Sequence, residues 1–354
     1  MVELLQFAFG LGALVLGADV LVRGAARLAL GWGLSPLVIG LTVVAFGTSA
    51  PEMAVSVGAA LDGRTDIALG NVVGSNIFNI LGILGLSALI LPLAVNLQII
   101  RQEVPVMIGS ALLLALLALD GEIGLLDGAM LFGLLLLYTA FLVRQSRRLG
   151  DDAGESEFAA DIGQATATRP LLSAAMVIGG LLLLVAGAQA LVAAATAFAR
   201  DLGLSELVIG LTIVAVGTSL PELATSIMAA LRGQRDIAVG NVIGSCVFNI
   251  LGCLGLTALV AGGGVPVAPS MLRFDLWVMI AASLACLPIF VTGRSIARWE
   301  GAVLLSYYAA YTVYLLLAAQ SHASIDVFSE VLIGFVAPLT IVALVASLMR
   351  SPRR

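Results

Sequence analysis

Two glutamates lie inside long apolar stretches of this chain, and both occur in the same short motif. Glu52 and Glu222 each end the pattern Gly-Thr-Ser-x-Pro-Glu, with apolar sequence on both sides. A charge at the centre of a bilayer costs roughly 2.5–3.5 kcal/mol, so two carboxylates in matching positions indicate a function that offsets this cost. The alternative is a structural carboxyl, protonated or paired with arginine, but no arginine falls at comparable depth in the apolar stretches.

The proline of each motif supplies further oxygen atoms. Pro51 and Pro221 each remove a backbone hydrogen bond and clash with the carbonyl four residues earlier, so we expect both helices to be kinked there. The freed carbonyls belong to Gly47, to Gly217 and to their neighbours. A membrane tolerates such a break where it is buried in protein or lines a cavity, and a cation bound there could use those carbonyls.

The helix that follows each motif adds hydroxyl and amide groups. Ser75 and Asn79 are four residues apart, as are Ser245 and Asn249, so each pair lies on one helical face. All these ligands bind through oxygen, which suits hard cations such as Ca²⁺ and Na⁺ and argues against Zn²⁺ or copper. Two carboxylates balance one Ca²⁺, two monovalent ions or two protons, so the set has the charge balance for exchange.

The composition shows what kind of element must position these groups. Hydrophobic residues make up 60% of the chain and charged residues 11%, against about 25% charged residues in a soluble domain. The apolar stretches are long and lack the alternation of barrel strands, so we predict an all-α polytopic membrane protein. Eleven spans are predicted, at 4–24, 34–61, 67–92, 103–120, 124–143, 171–198, 204–231, 237–263, 274–292, 300–319 and 326–348.

The basic residues, all arginine, predict the orientation. With the N-terminus outside, fourteen of the 17 fall on the cytoplasmic side, and only Arg64, Arg200 and Arg273 fall outside. We therefore predict a multi-pass protein of the cytoplasmic (inner) membrane with its C-terminus in the cytoplasm. Asp19 precedes Arg23 by four residues near the cytoplasmic end of the first span and is interpreted as a helix-end pair.

An internal repeat carries both motifs. Residues 33–89 and 203–259 align without a gap at an offset of 170 and match at 40 of 57 positions. The offset contains five predicted spans, an odd number, so equivalent helices cross the membrane in opposite directions, as in many secondary transporters. Asn71 and Asn241 also match across the repeats, and either helix-to-helix hydrogen bonding or ion binding would explain them.

The repeat divides the chain into two transmembrane halves, 1–144 and 171–320, followed by an extra helix and tail at 321–354. The cytoplasmic linker between the halves, 145–170, contains several acids. These acids have no EF-hand spacing, so we interpret the segment as a solvated linker rather than a regulatory Ca²⁺ site.

The paired GTSxPE and GNxxGS motifs resemble those of the cation/Ca²⁺ exchanger superfamily, in particular the prokaryotic sodium/calcium exchangers. The resemblance implies an inverted-repeat (5+5) helical fold in which four central helices hold the ions and the first and sixth spans slide across them. It implies that Glu52 and Glu222, with the carbonyls of Thr48 and Thr218, bind Ca²⁺. It implies that Na⁺ is bound by Ser49, Ser219, Ser75 and Ser245 with the carbonyls of Ala45 and Ala215, and Asn79 matches an asparagine of the family's first repeat.

Two features depart from the family pattern. The sodium exchangers commonly have an aspartate where this chain has Asn249, and a neutral amide there removes a protonatable group, which leaves the coupling ion open. The apolar segment 326–348 predicts an additional C-terminal transmembrane helix beyond the usual ten.

The first functional hypothesis is a Na⁺/Ca²⁺ antiporter, and the second is an H⁺/Ca²⁺ antiporter on the same scaffold. A channel or a membrane-embedded enzyme is the third, but the chain has no lysine and a single histidine, His322, outside the spans. The sequence contains no nucleotide-binding motif, so it gives no indication of ATP-driven transport. We therefore expect no enzymatic activity, no cofactor other than the transported ions, no nucleic acid and no obligatory protein partner.

Overall fold

The computed structural model describes residues 2–63, 65–149, 170–201 and 215–319. The helices of the first half are α1 (Val2–Trp32), α2 (Pro36–Thr48), α3 (Ala50–Leu61), α4 (65–90), α5 (Ile99–Asp120) and α6 (Leu125–Leu149). Those of the second half are α7 (Pro170–Asp201), α8 (Ala215–Gly217), α9 (Leu220–Leu231), α10 (Arg235–Val260), α11 (Met271–Val291) and α12 (Arg298–Ala319).

The predicted helical membrane fold is confirmed. In the described part of the chain, eight helices are long and apolar enough to cross a bilayer, and the bent pair α2–α3 makes a ninth span. These nine coincide with nine of the eleven predicted spans. Of the other two predicted spans, 204–231 is described only from Ala215 onward, and 326–348 lies outside the described residues. Helix α6 continues to Leu149, so the predicted linker begins as helix.

Glycines bring α1 and α7 into backbone contact. A Cβ on Gly17 would lie 2.9 Å from the Gly180 carbonyl oxygen, and a Cβ on Gly10 would lie 2.9 Å from the Gly187 carbonyl oxygen. Rising residue numbers on α1 meet falling numbers on α7, so the two helices are antiparallel. Since α1 and α7 begin the two halves, this direction agrees with the inverted repeat. Close approach through small residues is how membrane helices gain packing energy without a hydrophobic driving force.

Each half also packs against the last helix of the other half. A Cβ on Gly85 of α4 would lie 3.0 Å from the Gly301 carbonyl oxygen of α12, and a Cβ on Gly255 of α10 would lie 3.2 Å from the Gly128 carbonyl oxygen of α6. Two short antiparallel strand pairs join loops across the halves: β1 (Leu93–Ala94) with β4 (Ser295–Ile296), and β2 (Glu122–Ile123) with β3 (Val265–Pro266). The halves are therefore interleaved, and α4 and α10 are the most buried of the described membrane-spanning helices.

Two irregularities occur beside the predicted site. The axis bends by 44° between α2 and α3, at the position that the proline of the first motif predicts. Helices α4 and α10 each contain a π-helical stretch, Phe78–Leu84 and Phe248–Leu254, whose second residues are Asn79 and Asn249. Single π turns are rare and are often found at functional sites.

Candidate cation site

The two motif glutamates lie at the centre of the bundle. Glu52 is in the first turn of α3 and Glu222 is in the first turn of α9, and both are fully buried. Ser49 and Ser219 occupy the N-cap positions of these helices and are also buried. Each helix break therefore places a hydroxyl three residues before a carboxylate.

Serine hydroxyls join the two repeats at this point. The Ser49 hydroxyl donates to Glu222 Oε1 at 3.0 Å, and the Ser219 hydroxyl donates to Glu52 Oε1 at 2.8 Å. The serine of each repeat thus holds the carboxylate of the other. The second carboxylate oxygen of each glutamate, Oε2, is buried and has no hydrogen-bond partner in the described part of the chain. A buried anion is costly unless it is paired, so these two atoms are the natural contacts for a cation.

Asparagines brace the carbonyls behind both carboxylates. Asn71 Nδ2 donates to the Glu52 carbonyl at 3.1 Å and to Ser56 Oγ at 3.0 Å. Asn241 Nδ2 donates to the Glu222 carbonyl at 3.3 Å and to Ser226 Oγ at 3.0 Å. Of the two explanations offered by the sequence, the described contacts match helix-to-helix hydrogen bonding.

The remaining hydroxyls and amides lie on α4 and α10. The Ser219 hydroxyl also lies 3.3 Å from Ser75 Oγ. Ser245 Oγ and both amide atoms of Asn79 are buried without a hydrogen-bond partner among the described residues. Asn249 is engaged instead, because its Nδ2 donates to Asn76 Oδ1 at 3.3 Å. The two repeat-related asparagines therefore have different surroundings.

The backbone ligands implied by the family resemblance occupy the helix breaks. The Ala45 carbonyl accepts bonds from the Ser49 amide at 3.0 Å and from the Thr48 hydroxyl at 3.4 Å, within its own helix segment. The Thr48 hydroxyl also donates to Asn241 Oδ1 at 3.1 Å. Thr218 lies in the turn between α8 and α9, and Ala215 is the first described residue of α8. Direct contacts thus unite the glutamates with Ser49, Ser219 and Ser75. The other predicted residues lie on α2, α4, α8 and α10, except Thr218, which lies in the turn before α9.

Sequence reasoning missed two residues beside this cluster. Asn76 is buried and holds the amide of Asn249, but its repeat counterpart is Cys246, so matching the repeats did not single it out. Cys253 Sγ lies 3.7 Å from Asn249 Oδ1 and 3.9 Å from the Ser49 carbonyl oxygen. All three cysteines, Cys246, Cys253 and Cys286, are free and buried.

Removing the Asn241 brace is expected to destabilise the protein. Asn241→Ala deletes three described hydrogen bonds, those to the Glu222 carbonyl and to Ser226 and the one from Thr48. We expect this variant to lower the free energy of unfolding by about 1–2 kcal/mol. The unfolding midpoint of the detergent-purified variant measures the loss, and a midpoint equal to that of the wild type would contradict it.

Comparison with known proteins relates both halves of the chain to ion exchangers. A family model described as sodium/calcium exchanger protein matches residues 2–144 and 172–317. The putative antiporter CaxA of Alkalimonas amylolytica is 41% identical over 314 residues, which cover 88% of this chain and 97% of that protein. The sodium/calcium exchanger MaX1 of Methanosarcina acetivorans is 36% identical over 358 residues, which cover 89% of this chain and 98% of that protein.

Solved structures give the same relation. The sodium–calcium exchanger NCX_Mj soaked with 10 mM Na⁺ and 10 mM Sr²⁺ superposes with a TM-score of 0.74 at 32% identity, over 90% of this chain and 97% of that one. The same exchanger soaked with zero Na⁺ and Ca²⁺ superposes with a TM-score of 0.75 at 32% identity, over 88% and 98%.

Proposed function

Because this chain belongs to the sodium/calcium exchanger family, and is therefore a multi-pass membrane exchanger of Ca²⁺ against another cation rather than an enzyme, we propose that the other cation is Na⁺. The observation that carries the proposal is the reciprocal pair of bonds from Ser49 to Glu222 and from Ser219 to Glu52. This pair gathers two carboxylates and two hydroxyls from opposite repeats around one point.

The chemistry of the cluster supports competition between Ca²⁺ and Na⁺. The two free Oε2 atoms bring two negative charges to one place, which suits a divalent cation with oxygen ligands. We assign Ca²⁺ to Glu52 and Glu222 with the carbonyls of Thr48 and Thr218. We assign Na⁺ to the hydroxyls of Ser49, Ser219, Ser75 and Ser245 with the carbonyls of Ala45 and Ala215, beside the amides of Asn79 and Asn249.

The two carboxylates provide a physical reason for exclusive binding. In the described conformation, Ser49 and Ser219 donate their hydroxyl protons to Oε1 of a glutamate, and their lone pairs remain available to a cation. One Ca²⁺ or two Na⁺ ions neutralise the two glutamates, whereas both together would leave uncompensated positive charge in a buried site.

The second candidate is exchange of Ca²⁺ against H⁺ at the same site. The observation that favours it is the neutral Asn249, whose amide is bound to Asn76 where sodium exchangers of the family commonly carry an aspartate. The two buried glutamates could each accept one proton in place of a shared Ca²⁺, and the charge would again balance.

The wider arrangement belongs to the same proposal. The arginine distribution supports an external N-terminus and a cytoplasmic C-terminus in the cytoplasmic membrane. The inverted halves, 1–144 and 171–320, support alternating access to a site at their interface, with 145–170 as the cytoplasmic linker and 321–354 as an added helix and tail.

Equilibrium binding of radioactive Ca²⁺ to the detergent-purified protein tests this assignment. We expect one saturable Ca²⁺ per chain, displaced by Na⁺ at constant pH and ionic strength, with choline as the control cation. Displacement by protons but not by Na⁺ would transfer the assignment to H⁺/Ca²⁺ exchange. No saturable Ca²⁺ binding would contradict both.

A further inference from the structure

An ion pair outside the central site joins the two halves. Asp19 of α1 is only 9% exposed, and its Oδ2 pairs with Arg23 one turn further along the same helix, as the sequence predicts. Its Oδ1 pairs with Arg232, which directly follows α9. Because α9 begins with the turn that holds Glu222, this pair connects the first helix of the protein to a helix of the cation site.

Helix α1 is attached to the bundle as one member of a helix pair. Its backbone is in contact with α7 through Gly10, Gly17 and Gly24, while Leu11, Val15 and Leu16 on another face are exposed. The pair α1–α7 is therefore tightly packed within itself and borders lipid on one side. Its other contacts are with the helices of the cation site, chiefly along α9.

The ion pair occurs on only one side of the inverted repeat. At the offset of 170, the counterparts of Asp19 and Arg232 are Gln189 and Asp62, which cannot form an ion pair with each other. The packing has the same asymmetry, because α1 packs along α9, whereas no comparable packing joins α7 to α3 in the described chain. The two sides that the inverted repeat would otherwise make equivalent therefore differ, and the charged contact lies on the side where the helices pack more closely.

We propose that the Asp19–Arg232 ion pair is a one-sided latch, which holds the α1–α7 pair against α9 and biases the exchanger toward the conformation closed on that side. The inference rests on the proposed function only in taking the closed and open conformations as steps of exchange. Asp19 and Arg232 are positioning residues, since neither contacts the glutamates. The side chain of Arg232 is 40% exposed, so the expected bias is about two- to five-fold, which corresponds to about 0.4–1 kcal/mol.

Cysteine labelling in proteoliposomes tests the latch. Thr225 is buried on α9, about two helical turns before Arg232, so it lies on the helix face that carries the contact with Asp19. Thr225→Cys therefore reports opening between α1 and α9. The maleimide labelling rate of this cysteine is corrected for the rate of the wild type, which has three buried cysteines. Adding Asp19→Asn or Arg232→Gln to Thr225→Cys should raise the corrected rate about two- to five-fold. Arg23→Gln is the matched control, because Arg23 pairs with the same carboxylate but belongs to α1 itself. With Arg23→Gln, the labelling rate should stay within about 1.5-fold of the rate for Thr225→Cys alone. The exchanged pair, Asp19→Arg with Arg232→Asp, should restore slow labelling.

A second readout separates a latch from general damage. Loss of a one-sided latch should raise the apparent Ca²⁺ affinity measured from the side of the membrane that the latch closes. It should lower the affinity measured from the other side by a similar factor. Equal labelling in Asp19→Asn and Arg23→Gln, or weaker binding at both faces, would overturn the proposal. The labelling rates do not depend on the coupling ion. If the variants change the labelling rate but the wild type shows no Na⁺-driven transport, Na⁺ coupling is refuted and the latch is supported. If Na⁺-driven transport is present but the variants leave the labelling rate unchanged, only the latch is refuted.

Discussion

Replacing Glu52 or Glu222 with glutamine is expected to reduce Ca²⁺ exchange in proteoliposomes about 100-fold or more. Glutamine keeps the shape of the side chain and an oxygen for the serine bond, but it removes one of the two charges that face a cation through Oε2. Removing one partner of a buried charge pair costs about 3–5 kcal/mol, which corresponds to at least a 100-fold loss of affinity. Initial rates of radioactive Ca²⁺ uptake measure the effect.

The control for this prediction is a glutamate elsewhere in the same protein. Glu122 is exposed in the short strand β2, so Glu122→Gln should leave the uptake rate within about two-fold of the wild type. Unfolding midpoints of Glu52→Gln and Glu222→Gln should stay close to the wild-type value, since Ser219 and Ser49 keep their acceptors. Uptake within ten-fold of wild type for either central variant would mean that its carboxylate is not required for Ca²⁺.

Valine at Gly17 is expected to break the contact between α1 and α7. The added Cβ would lie 2.9 Å from the Gly180 carbonyl oxygen and 2.9 Å from the Leu184 backbone nitrogen, and neither backbone atom can move without displacing a helix. Overpacking a close contact costs about 1–3 kcal/mol, and more where backbone atoms must separate. We expect a lower unfolding midpoint in detergent and a smaller monodisperse fraction on gel filtration.

Gly12→Val provides the comparison, because it puts the same β-branched residue into the same helix. No atom lies within 4 Å of a Cβ built on Gly12, so only the loss of helix propensity common to both variants should appear there. Similar unfolding midpoints for Gly17→Val and Gly12→Val would contradict the close approach of the two helices.

The internal repeat made the central residues predictable. Because Glu52 and Glu222 match at a fixed offset, polar matches inside apolar helices were enough to select them and to predict inverted halves. The bend between α2 and α3 followed from Pro51, whose missing amide hydrogen is a local property of the chain. These features depend on residue type and spacing alone.

Features that depend on packing between distant helices were not predictable in this way. The bond from Ser49 to Glu222 requires the break between α2 and α3 to lie against the start of α9, and sequence spacing carries no such information. Asn76 escaped attention because its repeat counterpart is Cys246. Asp19 was paired correctly with Arg23, but its second partner, Arg232, is more than 200 residues away in the chain.

The most direct test of the exchange mechanism is radioactive Ca²⁺ uptake into proteoliposomes that contain the purified wild-type protein. Three conditions are compared: an outward Na⁺ gradient, an outward H⁺ gradient, and no gradient, with the membrane potential clamped in each. We expect uptake driven by the Na⁺ gradient and only background uptake in the other two conditions, which would also mean that Asn249 permits sodium coupling. Uptake driven by the proton gradient alone, or by neither gradient, would contradict Na⁺/Ca²⁺ exchange.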